Sequence, residues 1–156
     1  MNNFLFSSEK NLTLFDTDND YILFDISDEL YAIKILDIKE IVSNRTIVEV
    51  EDLPEYIKGF ANIRNIIFPI FELKQDLALE NSKKYGKYSV IVIFEDPLEK
   101  LALIADSVLD IYNIPQENIK NSSGLDKLSR FIDFEVEMNS RTVKIINTKK
   151  IIKSKY

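Results

Sequence analysis

The chain has 156 residues, 46% of them hydrophobic and 29% charged, which is the composition of one globular domain. It contains no cysteine and no histidine, so disulfides and the usual nucleophile–base pairs of hydrolases are excluded. A formal net charge of −6 disfavours nucleic acid and anionic membrane surfaces as partners, and no apolar run is long enough for membrane insertion.

The N-terminal part of the chain predicts a lead-in and a hairpin. Residues 1–19 are polar and irregular, so we expect a flexible segment there and one domain over residues 20–153. From Tyr21 apolar side chains recur at every second position. Ser27-Asp28-Glu29 separates this run from a second one, Tyr31 to Ile35, and the pattern is typical of two paired strands.

The next segments mix helical and extended patterns. Leu36 to Val42 has an apolar residue at every third or fourth position, which favours one or two helical turns. Ile47 to Val50 predicts a short strand. A helical run opens at Pro54, and we expect it to end at Gly59 because glycine readily adopts the left-handed backbone of a helix end. Two extended runs then flank a tight turn at Arg64-Asn65.

The C-terminal half predicts further strands. Lys74 to Lys87 is a polar connector, Ser89 to Phe94 predicts a buried strand, and Lys100 to Ile104 returns after a turn. Many short strands separated by turns indicate an all-β barrel or sandwich. The residues that we predict to be buried in it are Ile22, Phe24, Ile33, Ile67, Ile70, Val92, Leu103, Val143 and Ile145.

Candidate sites for chemistry are sparse. Asp16 to Asp20 is similar to the start of a calcium-binding loop, but Tyr21 and Ser27 stand where the glycine and the closing glutamate are required. Three glycines cannot supply a phosphate-binding loop. We therefore predict no catalytic residue, no metal site and no cofactor.

Several segments resemble, in the right order, the CheW family of chemotaxis coupling proteins. Pro54-Glu55-Tyr56-Ile57-Lys58-Gly59 is similar to the family's Pro-x-[YF]-Ile-Lys-Gly motif. Asn62-Ile63-Arg64-Asn65 and Ile66-Ile67-Phe68-Pro69-Ile70 are similar to its Asn-[LI]-Arg-Gly and Ile-Ile/Val-Pro-[VI] motifs. Ile35 to Ile41 resembles its I-L-x-V-x-E-I segment, and the resemblance extends from Asp20 to Ile152.

The resemblance implies a mainly β fold of two small five-stranded SH3-like barrels around a shared core, with a few short helices. It implies a non-catalytic adaptor that couples methyl-accepting chemoreceptors to the histidine kinase CheA. The implied partners are the regulatory domain of CheA and the cytoplasmic tip of the receptor. The protein would then be cytoplasmic and would reach membrane-associated receptor arrays through these partners.

The resemblance also implies six partner-binding residues. Arg64 and Glu40 match an arginine and a glutamate that the family associates with one another and with the binding surface. Ile38 matches an apolar binding position, although its pattern alone favours the core. The set is completed by Gly59, at a position associated with coupling activity, and by Val90 and Ile91, of which strand alternation turns one inward and one outward.

The chain departs from the family pattern at several glycines. Asn65 follows the arginine, and asparagine tolerates positive φ well enough to keep the turn. Phe134 replaces a glycine in the closing motif, where a bulky side chain is harder to accommodate.

Two other functions stay open from the residues alone. A small β-barrel that binds oligonucleotides would suit the strand pattern, but the acidic charge opposes it. A carboxylate-dependent hydrolase would need a deep pocket that holds two acids with separated pKa values.

Overall fold

A computed structural model describes residues 18–73, 85–125 and 127–154. Its strands, numbered in chain order, are β1 (Asp20–Ile26), β2 (Glu29–Lys34), β3 (Ile38–Ser43), β4 (Ile47–Val48), β5 (Ile57–Ile63), β6 (Ile66–Phe71), β7 (Val90–Phe94), β8 (Ala102–Ala105), β9 (Ser107–Asn113), β10 (Lys120–Asn121), β11 (Ile132–Met138) and β12 (Arg141–Ile146). Short 3₁₀ turns cover Ile35–Asp37, Gln116–Asn118 and Lys127–Phe131, and helix α1 covers Thr148–Ser154.

The strands form two six-stranded sheets. The first has the order β10-β11-β12-β2-β1-β9 and the second the order β3-β7-β8-β6-β5-β4. Neighbours are antiparallel except for the pairs β12–β2 and β6–β8. In the first sheet, strands from both ends of the chain therefore meet.

Some sequence predictions fall outside the described residues. They are residues 1–17 of the expected lead-in and residues 74–84 of the polar connector. In the described ranges, no helix has the length and apolar character needed to cross a membrane.

The core explains why two sheets form one unit. Tyr21 and Val143 belong to an apolar cluster built from the first sheet and Ile114, whereas Ile70 and Ile91 belong to a cluster built from the second. A third and larger cluster takes side chains from both sheets and from α1. The predicted class, a mainly β fold of two barrel-like halves around a shared core, is confirmed. Each sheet has six strands rather than five because a two-residue strand, β10 or β4, lies at one edge.

An aromatic group joins the two halves. The rings of Tyr56 and Phe71 stack with centroids 5.4 Å apart. Phe131 meets both rings edge-on at 5.0 and 5.1 Å, and the Arg130 guanidinium lies 5.5 Å from the Tyr56 ring. Edge-to-face pairs of this kind stabilise a core beyond their buried area. The turn that leads into β11 is thereby fixed to the second sheet.

Both predicted tight turns are confirmed. Ser27 and Asp28 join β1 to β2 with φ of 57° and 66°. Arg64 and Asn65 join β5 to β6 with φ of 52° and 66°, and the Asn65 N–H donates to Asn62 Oδ1 at 2.9 Å. Positive φ at both central residues matches the twist of paired strands. Asn65 thus preserves the turn in which the family has glycine.

The predicted helical turns from Leu36 to Val42 are wrong beyond their start. One 3₁₀ turn covers Ile35–Asp37, and strand β3 follows. The pairing of β3 with β7 shifts register at Lys39, the extra residue of a β-bulge. Because the bulge breaks the period of two, Ile38 and Ile41 both pack against the shared core although they are three residues apart.

The predicted helix that ends at Gly59 is also wrong. Gly59 lies inside β5, and its φ is not positive. The pairing of β5 with β6 shifts register between Ile57 and Gly59, so Lys58 is the extra residue of a second bulge. The run that Pro54 was predicted to open is a single turn, closed by the bond from the Ile57 N–H to the Pro54 carbonyl at 2.9 Å, and strand β5 follows at once.

Of the nine residues predicted to be buried, Ile67 alone is wrong, with 56% of its surface exposed. It pairs with Asn62 on the side of the second sheet that lies away from that sheet's apolar cluster. Phe134 is 45% exposed, so its bulk points toward solvent and the lost glycine is accommodated without crowding.

Candidate partner-binding surfaces

The ion pair predicted between Arg64 and Glu40 is present. The Arg64 guanidinium, at the β5–β6 turn, donates to Glu40 Oε1 on the edge strand β3. The hydrogen bond from Arg64 to Glu40, and then the Glu40 charge, raise the pKa of the arginine, which stays protonated. The Arg64 side chain is 63% exposed, and a guanidinium has five donors, so several remain available to a partner carboxylate or carbonyl.

Beside this pair lies an exposed apolar surface, which we call the outer face. Val48, Phe60 and Pro69 are cross-strand neighbours on β4, β5 and β6, and Ile67 lies on the same side of the sheet. Val48 is 60% exposed and Ile67 56%, while Phe60 and Pro69 are half-buried. Contiguous apolar side chains on one side of a sheet are typical of a protein-binding surface.

Gly59 supports the outer face from within. It is buried. A Cβ at Gly59 would lie 2.3 Å from the Val48 carbonyl oxygen and 2.9 Å from Ile47 Cγ2. Only glycine therefore lets β4 pack at this distance from β5. The structure supports a positioning role of Gly59 for β4 and contradicts the helix end that the sequence predicted, and contact of Gly59 with a partner stays a prediction.

A cluster of charged and polar side chains surrounds Lys58, the bulged residue of β5. Lys58 Nζ lies 3.0 Å from Glu49 Oε1 and 3.7 Å from Glu72 Oε2. The Tyr85 hydroxyl donates to Glu72 at 2.5 Å, and burial followed by the Glu72 charge raises the Tyr85 pKa far above its ordinary value. This group fixes the bulged residue of β5 to its neighbours, which keeps the apolar face in a defined shape.

A second candidate surface, which we call the seam, consists of apolar side chains on the two edge strands β3 and β9 that pack against the shared core. Its members are Ile38 and Ile41 on β3 and Val108 and Ile111 on β9. All four are partly buried and pack against the shared core. Edge strands present unpaired backbone groups, so the seam combines apolar side chains with free main-chain donors and acceptors.

The structure separates Val90 from Ile91. Val90 is half-buried and packs against the shared core, whereas Ile91 is completely buried in the cluster of the second sheet. Strand alternation was expected to turn one of them outward, but β7 has an apolar cluster on both faces. Direct contact of Ile91 with a partner is therefore a prediction that the structure contradicts.

The described ranges contain no group of three or more acidic side chains placed to hold a metal ion. Of the calcium-like sequence, residues 16 and 17 lie outside these ranges. Asp20 is buried and accepts a hydrogen bond from Asn113 Nδ2 at 3.0 Å. That carboxylate is part of the joint between β1 and β9.

These features define a class of protein: a small two-lobed β scaffold with exposed apolar surfaces. The chain belongs to the family of CheW-like domains, whose model matches residues 20–155. It is 26% identical over 101 residues to the chemotaxis protein CheW of Klebsiella aerogenes, covering 65% of this chain and 60% of that protein. It is 28% identical over 140 residues to chemotaxis protein CheW of Helicobacter pylori, covering 87% and 82%.

A solved structure agrees with this assignment. The crystal structure of scaffolding protein TtCheW from Thermoanaerobacter tengcongensis superposes with a TM-score of 0.70 at 26% identity. The match covers 82% of this chain and 88% of that one. The match to the Klebsiella relative is shorter and covers 60% of that protein's length.

Proposed function

We propose that this protein is a non-catalytic adaptor that couples methyl-accepting chemoreceptors to the histidine kinase CheA. The observation that carries the proposal is the presence of two separate apolar surfaces, the outer face and the seam, on one scaffold. The aromatic group around Phe131 packs the two halves of that scaffold against each other. An adaptor of this kind acts by holding two partners in one geometry, so it needs no catalytic group.

We assign the outer face to the regulatory domain of CheA. Its exposed apolar side chains, Val48 and Ile67, are surrounded by charged groups that include Arg64 and Lys58. An apolar centre with a polar rim is the anatomy of a specific protein interface. Arginine is enriched among the residues that dominate binding energy, which gives Arg64 a natural place in this contact.

We assign the seam to the cytoplasmic tip of the receptor. The seam presents partly buried apolar side chains, such as Ile38 and Val108, on two edge strands. A linear apolar border accepts the apolar stripe of an elongated partner. Under this assignment Ile38 contacts the receptor, whereas Ile91 stays buried in the apolar cluster of the second sheet.

The coupling role is tested by kinase autophosphorylation with and without this protein, in the presence of receptor fragments. We expect a ternary complex that is more stable than either binary complex, because two contacts on one scaffold raise the effective concentration. We also expect a changed autophosphorylation rate. An unchanged rate at concentrations that saturate both binary complexes would contradict coupling.

Arg64→Ala should weaken kinase binding by about tenfold or more, the loss typical of an arginine that anchors an interface. Its effect on thermal unfolding should be small, since exposed ion pairs contribute little to stability. Calorimetric titration with the kinase regulatory domain measures the first quantity, and a melting curve measures the second. Arg45→Ala, which removes another exposed arginine, is the matched control. Equal losses in both variants would contradict a specific role for Arg64.

A further inference from the structure

A cavity of about 380 Å³ opens at one end of the first sheet, on a part of the molecule distinct from the outer face. Its wall brings together the start of β1, the end of β2, the start of β11 and the end of β12. Tyr21 and Ile145, which belong to the apolar cluster of the first sheet, form its interior. The volume lies within the range of small-molecule sites and equals the space of about a dozen waters.

Two opposite charges line this cavity, and neither has a partner within the described part of the chain. Lys34 ends β2 and Asp37 ends the 3₁₀ turn that follows it, and both are half-buried. Among the residues that the structure describes, the Lys34 ammonium has no ion pair and the Asp37 carboxylate accepts no hydrogen bond. Both charged groups keep some exposure, so they are available to a ligand with complementary charges.

The third charge at the cavity is already neutralised. Asp133 accepts hydrogen bonds from Lys150 Nζ and from Asn147 Nδ2, the latter at 2.8 Å. These bonds hold the pKa of Asp133 below its ordinary value. The charges available to a ligand are therefore one positive group and one negative group, three residues apart in sequence.

The remaining lining adds a neutral polar group and an apolar wall. Burial, and then the charge of Asp37, raise the pKa of Tyr21, so its phenol stays protonated beside the Gln116 side chain. Ile119 and Phe134 complete the lining on the apolar side. Phe134 is 45% exposed, so its ring is accessible to a bound molecule.

We propose that this cavity binds a free α-amino acid with a large apolar side chain. The ligand carboxylate pairs with Lys34 and the ligand ammonium with Asp37, while its side chain packs against Phe134 and Ile119. A zwitterion suits the site because the lining offers one positive and one negative side chain to a single ligand. The enclosed volume favours a single small molecule over a folded partner.

The test is a calorimetric titration of the full chain with L-phenylalanine. We expect saturable binding at millimolar concentrations or below. Phenethylamine lacks the carboxylate and 3-phenylpropanoate lacks the ammonium, so each should bind about tenfold more weakly, the loss of one charge-assisted hydrogen bond. These comparisons use the unmodified protein and do not depend on whether a variant folds.

Two variants assign the charges. Lys34→Gln should remove the preference for L-phenylalanine over phenethylamine, and Asp37→Asn should remove the preference over 3-phenylpropanoate. Lys100→Gln, an exposed lysine outside the cavity, should leave both preferences intact. Absence of saturable binding, or equal affinity for all three compounds in the unmodified protein, would overturn the proposal. Preferences that persist in both cavity variants would overturn it as well.

Discussion

Replacing Gly59 with alanine should lower the stability of the fold and weaken kinase binding at the same time. The new Cβ would lie 2.3 Å from the Val48 carbonyl oxygen, a backbone atom that cannot rotate away. Strand β4 must therefore move, and overpacking of this kind costs about 1–3 kcal/mol. Since Val48 is part of the outer face, the displacement should also distort the proposed kinase contact.

Urea unfolding and calorimetric titration with the kinase regulatory domain measure the two effects. Gly86→Ala is the matched control, because no atom lies within 4 Å of the Cβ that it would add and its φ is not positive. We expect Gly86→Ala to leave both quantities unchanged. If Gly59→Ala lost binding at full stability with β4 in place, the positioning role would be wrong and Gly59 would be a direct contact.

The sequence predicted strand segments and turns better than it predicted irregularities within strands. Hairpin turns depend on local residues, so Ser27-Asp28 and Arg64-Asn65 were found from composition alone. The bulges at Lys39 and Lys58 were missed, because an extra residue mimics helical spacing until the partner strand is known. The false helix over Leu36 to Val42 arose in this way.

The candidate site was predictable only in part. Glu40 and Arg64 are 24 residues apart, and the family resemblance, not their spacing, indicated that they pair. Alternation misled for Ile67, because a strand pattern does not show which face of a sheet is covered by an apolar cluster. The cavity gave no sequence signal, since residues from Tyr21 to Asn147 meet there only in the fold.

The rigidity of the joint between the halves bears on how such an adaptor would transmit a signal. Tyr56 and Phe71 come from the second sheet, and Phe131 leads into the first. The seam residues pack against the same apolar cluster as these three rings, so a contact made at the seam is connected to both sheets through packed side chains. We infer that receptor and kinase are coupled by fixed relative placement.

Ile67→Glu and Ile38→Glu should separate the two proposed contacts. A charge at Ile67 would be buried unpaired under a kinase docked on the outer face, and this should weaken kinase binding roughly 30-fold or more. Receptor binding should be unaffected, because the seam is unchanged. Ile38→Glu should do the reverse. Both variants should abolish the change in kinase autophosphorylation, since coupling requires both contacts at once.

Calorimetric titrations with the kinase regulatory domain and with the receptor tip, run for each variant, measure this separation. Leu98→Glu is the matched control, because Leu98 is 88% exposed on a turn outside both surfaces. Ile38 is partly buried, so melting curves are needed to show whether Ile38→Glu still folds. If Ile38→Glu unfolds, Ile67→Glu is sufficient for the test, because Ile67 is 56% exposed and its substitution should leave the fold intact. A folded Ile67→Glu protein that loses both kinase and receptor binding, or keeps both, would contradict the proposal. Either result would show that the outer face is not a surface for the kinase alone.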